Sequence, residues 1–277
     1  MKTTIKPIYI QLFIVFAAFI GLYYPFMGTM IQDWDQNANY SHGYFIPFIS
    51  IYMIYSLRKE LHDIDMSANY WGLVVLVLGL LQLLAGKIGA EFFLQRTSMI
   101  IVILGLTLFF YGFRVCKKVS IPILYLIFMV PLPAIVWNKI AFPLQLFASA
   151  ITENVIHLLG IPVLRQGNIL QLAETTLEVV DACSGIRSLV TMLALSAVFA
   201  FLSDLSRPRK LVLFVAAAPI AIVVNIVRLG GTAVLANRYG ERVAQGFLHE
   251  ASGIVVFIAG LAMLYGTMAV LFRFKNV

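Results

Sequence analysis

The stretch Asp181-Ala182-Cys183-Ser184-Gly185-Ile186-Arg187-Ser188-Leu189 joins a strand-like segment to the start of a long apolar run. It places a thiol at a helix N-terminus, where free amide donors and the positive end of the helix dipole favour thiolate. Arg187, one turn on, shares that face and adds positive charge, so a cysteine nucleophile is prepared. A lone cysteine beside an apolar helix is more often a small buried hydrophobe. Asp181, Ser184, Gly185 and Arg187 around it are costly near hydrocarbon and need a reason. Further on, Asn225-Ile226-Val227-Arg228 sets an Asn and an Arg three residues apart on one helix face. Arg228 reads either as a snorkelling or ion-paired anchor or as a donor to a carboxylate or developing oxyanion, with Asn225 orienting it. His249-Glu250 follows, before the small residues Ala251, Ser252 and Gly253. A thiol, an imidazole and a guanidinium suffice for acyl transfer through a thioester.

His42, in Ser41-His42-Gly43 after Asp33, Trp34 and Asp35, has two readings, substrate or catalytic support and helix entry. His62 and His157 read as exposed or interfacial. No Cys/His cluster has zinc spacing, and no Gly-rich phosphate loop or Gly-x-Ser-x-Gly elbow occurs, so neither metal nor cofactor is expected.

The elements that must position these residues are membrane helices. Of 277 residues 61% are hydrophobic and only 12% charged, with a mean hydropathy of +0.92, which excludes an ordinary soluble domain. The expected fold is an all-α polytopic membrane protein, one domain over residues 1–277, with about eight spans near 8–30, 43–57, 71–86, 98–113, 119–137, 185–203, 211–229 and 250–272. The net charge of +7 is gathered in short clusters between apolar runs, which excludes a nucleic-acid stripe. With both termini inside, twelve of the 20 basic residues fall on the cytoplasmic side, from Lys2 and Lys6 through Arg58, Lys59, Arg114, Lys117 and Lys118 to Arg207, Arg209, Lys210, Arg273 and Lys275. The second cysteine, Cys116, then lies opposite Cys183, and no disulfide is implied.

That topology leaves an outer segment at 138–184. Its first half carries Gln145, Thr152, Glu153, Asn154 and His157 among apolar residues and suits an interfacial helix. Its second half reads as a hairpin, Leu170-Gln171-Leu172 turning at Ala173-Glu174-Thr175-Thr176 into Leu177-Glu178-Val179-Val180, which delivers the chain to Cys183. Cys183, Arg228 and His249 all fall at the outer ends of successive spans.

Tyr40-Ser41-His42-Gly43, Phe128-Met129-Val130-Pro131-Leu132-Pro133, Leu159-Gly160-Ile161-Pro162-Val163, Arg165-Gln166-Gly167-Asn168 and the Cys183 stretch run in the order and spacing of a known family. So do Pro219-Ile220-Ala221, Asn225 to Arg228, and His249 before Gly253. On these residues the chain resembles the exosortase/archaeosortase family. The resemblance implies a multi-spanning enzyme of the bacterial inner membrane, or its archaeal counterpart, with its active site at the outer face. It implies exported protein substrates bearing a C-terminal signal: a short motif such as Pro-Glu-Pro, a hydrophobic helix and a basic tail. Cleavage and transfer to an acceptor are implied too, without any cofactor, with lipid around the enzyme and polysaccharide or lipid acceptor machinery as partners. The family's Cys, Arg and His map to Cys183, Arg228 and His249. Ending at Val277, the chain is expected to act without an extra C-terminal domain. A transporter would carry its polar groups across the midplane, whereas here they gather at the outer ends. A non-catalytic holdase for hydrophobic tails would have no use for an activated Cys183.

Overall fold

Pro131 and Pro133 divide the chain at its middle, and two units of structure lie on either side, Met1–Leu132 and Pro133–Val277. The computed structural model describes residues 5–173, 176–179, 185–239 and 247–273.

In the first unit, α1 (Ile5–Gln36) leads to a 3-10 turn at Ser41–Tyr44, then α2 (Ile46–Ser56), the short α3 (Arg58–His62), α4 (Trp71–Ile88) and α5 (Phe92–Tyr125). A further 3-10 turn, Leu126–Met129, ends the unit's helices. Glu91 caps α5 by accepting from the Leu94 amide at 2.8 Å. The helical path breaks at Gly112, separating the parts expected as the fourth and fifth spans.

Glycine spacing builds the α4–α5 pair. Gly72, Gly79 and Gly86 recur every seven residues, which keeps them on one face of α4 with a drift of only about 20° per repeat. A Cβ at Gly79 would stand 2.8 Å from Val102 Cγ2, and one at Gly86 would stand 2.9 Å from the Gln95 amide nitrogen. From the other side, a Cβ at Gly105 would meet the Leu76 backbone at 2.6 Å. Small residues thus let two backbones approach where lipid offers no hydrophobic drive to associate.

α2 runs antiparallel to the last part of α5. His42 bonds the Phe128 carbonyl at one end, Ser50 Oγ donates to the buried Pro122 carbonyl midway at 2.8 Å, and Glu60 pairs with Lys118 at the other end. The first end also holds Arg96, 5% exposed and paired with Asp33 at 2.6 Å. A buried guanidinium of this kind requires such a partner.

The second unit begins with α6 (Ala134–Leu158), followed by β1 (Val163–Gln166), β2 (Ile169–Leu172), β3 (Thr176–Glu178), α7 (Ile186–Leu202), α8 (Arg207–Tyr239) and α9 (Phe247–Arg273). The expected hairpin is present as β2–β3, with Leu170 opposite Leu177 and Gln171 opposite Thr176. β1 joins on the other edge of β2 in antiparallel register, Val163 opposite Leu172. The inward residues Val163, Leu170, Leu172 and Val179 share an apolar cluster with Ala148 and Ile156 of α6 and Leu229, Ala233 and Ala236 of α8.

Among the described residues, six helices are long and apolar enough to cross a membrane, and Ile46–Ser56 and Ile186–Leu202 are shorter apolar helices. The expected fifth span, 119–137, differs: the helix stops before Val130 because Pro131 and Pro133 cannot continue it, and a new helix starts at Ala134. The segment expected as an interfacial helix is α6, which buries Gln145, Ser149 and Thr152 and exposes Asn154 and His157 together with Ile135, Ile140, Phe142 and Phe147.

Candidate active site

Two clusters gather the sequence-selected residues, one in each unit. In the first, the backbone of Phe128 and Met129 is exposed to capture by the two prolines. An α-helix would direct the Met129 carbonyl to the amide of residue 133, which is a proline and has none. Trp34 Nε1 supplies the missing donor at 2.9 Å. The Phe128 carbonyl, left over as the chain turns extended at Val130, meets His42 Nε2 at 3.1 Å. Gly43 is buried directly against the Trp34 indole, where any Cβ would collide. The Tyr40–Gly43 and Phe128–Pro133 motifs are therefore two halves of one contact. Burial lowers the His42 pKa below the ordinary imidazole value, against the raising effect of the Phe128 and Asn39 backbones. His42 is thus bonded to the Phe128 carbonyl at the entry to α2, and the remaining candidates belong to the other unit.

In the second unit α7, α8 and α9 pack on one another around Met192, Leu213, Ala217, Ala221 and Leu264. Gly260 of α9 comes close to Met192 of α7, a Cβ there standing 2.7 Å from the methionine Cε. At one end of this trio α7 starts from Gly185, whose φ of 79° lies in the left-handed region that favours glycine. A side chain at Gly185 would also run into Asn225 of α8, 2.9 Å from its Cγ. One turn along α8, Arg228 Nη1 lies 4.0 Å from where a Cβ on Gly253 of α9 would stand. Asn225 is 2% exposed and Arg228 half-buried, and both engage other groups of the protein.

The expected shared face of Asn225 and Arg228 thus looks toward the starts of both neighbouring helices. Arg187 is the second residue of α7, half-buried, with its carbonyl accepting from Thr191 Oγ1 at 2.9 Å. His249 lies in the first turn of α9, four residues before Gly253, and its side chain is outside what the structure describes. Asp181, Cys183 and Ser184 lie outside the described residues. In sequence, Cys183 precedes Gly185 by two positions, and helix α7 starts one residue after Gly185.

A pairing that the sequence had not singled out fastens the sheet. Glu153 of α6 accepts from the Arg165 amide at 3.2 Å and from Arg165 Nε at 2.9 Å, tying β1 to the helix. The signal for it was a charged pair flanking the α6–β1 connection, hidden because Glu153 read as one polar residue of an interfacial face.

Over residues 34–266 the chain matches the family of transmembrane exosortases. The chain belongs to that family. Its membership makes it a multi-pass membrane protein of a protein-sorting system, in keeping with the six long apolar helices. The matched exosortase region takes in both clusters, from Trp34 through Cys183, Arg228 and His249 to beyond Gly260. No curated protein and no solved structure matches the chain.

Proposed function

We propose that this exosortase is a membrane-embedded cysteine transpeptidase that cleaves a C-terminal sorting signal of exported proteins and passes the product to an acceptor. The observation that carries the reading is the convergence on α8: Asn225 beneath the Gly185 start of α7, and Arg228 beside Gly253 of α9. In sequence, Cys183 precedes Gly185 by two positions and His249 precedes Gly253 by four, the two glycines that this face of α8 meets.

The Cys183 thiolate attacks the scissile carbonyl carbon, and Arg228 donates to the oxygen as negative charge develops on it. As the C–N bond breaks, imidazolium of His249 gives its proton to the leaving amine, which departs with the substrate's tail. The thioester that remains is attacked by an acceptor nucleophile or water, His249 taking the nucleophile's proton as thiolate leaves. Arg187, Asp181 and Ser184 support the nucleophile's surroundings. The enzyme sits in the cytoplasmic membrane with this site at the outer face, taking substrates whose signal is a short motif, an apolar helix and a basic tail.

A C-terminally tagged substrate, expressed with wild type or with Cys183→Ala and with membrane insertion of both enzymes checked, tests this directly. Tag removal by wild type alone is expected. Removal by both proteins would sink the cysteine mechanism and favour a holdase that works without a thiolate.

A further inference from the structure

Val179 and Gly185, which flank Cys183 in the sequence, are each held in place. On the downstream side Gly185 is seated against Asn225. On the upstream side Val179 is fully buried in the cluster that also contains Leu229, the neighbour of Arg228. Cys183 is the fourth residue after Val179. Both polar backbone groups of Val179 are held by one residue. Its amide donates to the Asn168 backbone carbonyl at 2.9 Å, and its carbonyl accepts from Asn168 Nδ2 at 3.3 Å.

Asn168 is itself well placed to hold a fixed position. It forms, with Gly167, the two-residue connection between β1 and β2. Gly167 has a φ of 67° while Asn168 keeps a negative φ, the pattern of a type II′ hairpin turn. The strand leading into that turn is clamped to α6 through Arg165 and Glu153. The chain of contacts thus runs from Glu153 through Arg165 and the Gly167-Asn168 turn to Val179, four residues before Cys183 in the sequence.

We propose that Asn168 is a positioning residue for Cys183, fixing Val179, the anchored residue four positions before it in the sequence. It acts through Val179 and touches no substrate. This rests on Cys183 being the nucleophile. A displacement of about 1 Å in a reacting group can cost on the order of a hundredfold in rate, so the role reads out in turnover.

The test is kinetic, on full-length protein in detergent or proteoliposomes with a peptide substrate carrying the sorting signal, in a Cys116→Ser background. Asn168→Asp keeps the size and the backbone bond but replaces the donor by a carboxylate facing the Val179 carbonyl. It is expected to lower kcat by about a hundredfold with KM within about twofold, and to change the alkylation rate of Cys183 by iodoacetamide across pH. Gln171→Ala, which loses only the Gln166 contact on the exposed side of the sheet, is expected to leave all three unchanged. Should Asn168→Asp not accumulate as folded protein, Asn168→Ala, which removes the donor without adding charge, takes its place in the same comparison. A wild-type kcat and wild-type alkylation profile in the Asn168 variant overturn the positioning role, and so does an equal loss in Gln171→Ala. Processing that persists in Cys183→Ala would instead remove the reading on which the role depends.

Discussion

Burial lowers the pKa of His42 against the raising effect of the Phe128 carbonyl that its ring nitrogen meets. Where a folded chain binds a proton less readily than its unfolded form, stability rises with pH across the interval between the two pKa values. The contribution of His42 is therefore complete above the unfolded value of about 6.5 and declines as pH falls below it toward the depressed folded value. Thermal unfolding of the solubilised protein between pH 5 and 8 is expected to show this decline, and His42→Gln, which keeps a donor for Phe128 but does not titrate, is expected to flatten it. An identical slope in both proteins would remove His42 as its origin. At this scale the sequence was a good guide to chemical type and a poorer one to employment. It picked out His42 and His249 among four histidines, but only the loss of helical donors caused by Pro131 and Pro133 explains why the His42 ring faces a backbone carbonyl. For Asn225 and Arg228 the three-residue spacing alone sufficed to put both on one face, and the neighbours of that face came from the packing of α7 and α9.

Between α4 and α5, close approach of backbones sets the stability of the pair. Gly→Ala inside a helix ordinarily gains up to about 1 kcal/mol from propensity, so the sign of the effect reports whether space exists. At Gly105 a Cβ would press on the Leu76 amide nitrogen at 2.6 Å, and backbone cannot move aside as a flexible side chain would. Gly28 of α1 has nothing within 4 Å of the same added atom. Gly105→Ala is expected to destabilise by about 1–3 kcal/mol, while Gly28→Ala is neutral or stabilising, both read from detergent-solubilised melting. Equal behaviour of the two would mean that the helices can separate without loss. The same level shows where sequence patterns run out. Period-two alternation made β2 and β3 legible, whereas β1 at Val163–Gln166 is four residues long and shows too little pattern to be recognised. In α6 the helix was legible, but pattern alone did not tell which of its polar residues are buried: Gln145 and Thr152 are, whereas Asn154 and His157 are exposed.

Across the whole chain, the order of apolar segments was legible, but whether α6 adds a crossing depends on its environment and not on its length alone. At 25 residues and about 1.5 Å per residue it is long enough to span, yet the charge bias counts against a crossing added on its own. If the second part of α5 and α6 each crossed, the cluster Arg207, Arg209 and Lys210 would move to the outer side, against the tendency of basic loops to stay cytoplasmic. We therefore expect these two elements together to change sides only once. Single cysteines at Ala38, His62 and Ser206, in a background lacking Cys116 and Cys183, decide this with a membrane-impermeant maleimide on intact spheroplasts. The Ala38→Cys protein is expected to label from outside, and His62→Cys and Ser206→Cys only after permeabilisation; His62 is 90% exposed, so protection there reports the membrane rather than burial. External labelling at Ser206 with protection at His62 would mean that α6 makes a full crossing and that the α7 start, with the site around Arg228, opens to the cytoplasmic side. Exported substrates could then not reach it after translocation, so the same experiment bears on the fold and on the proposed reaction together.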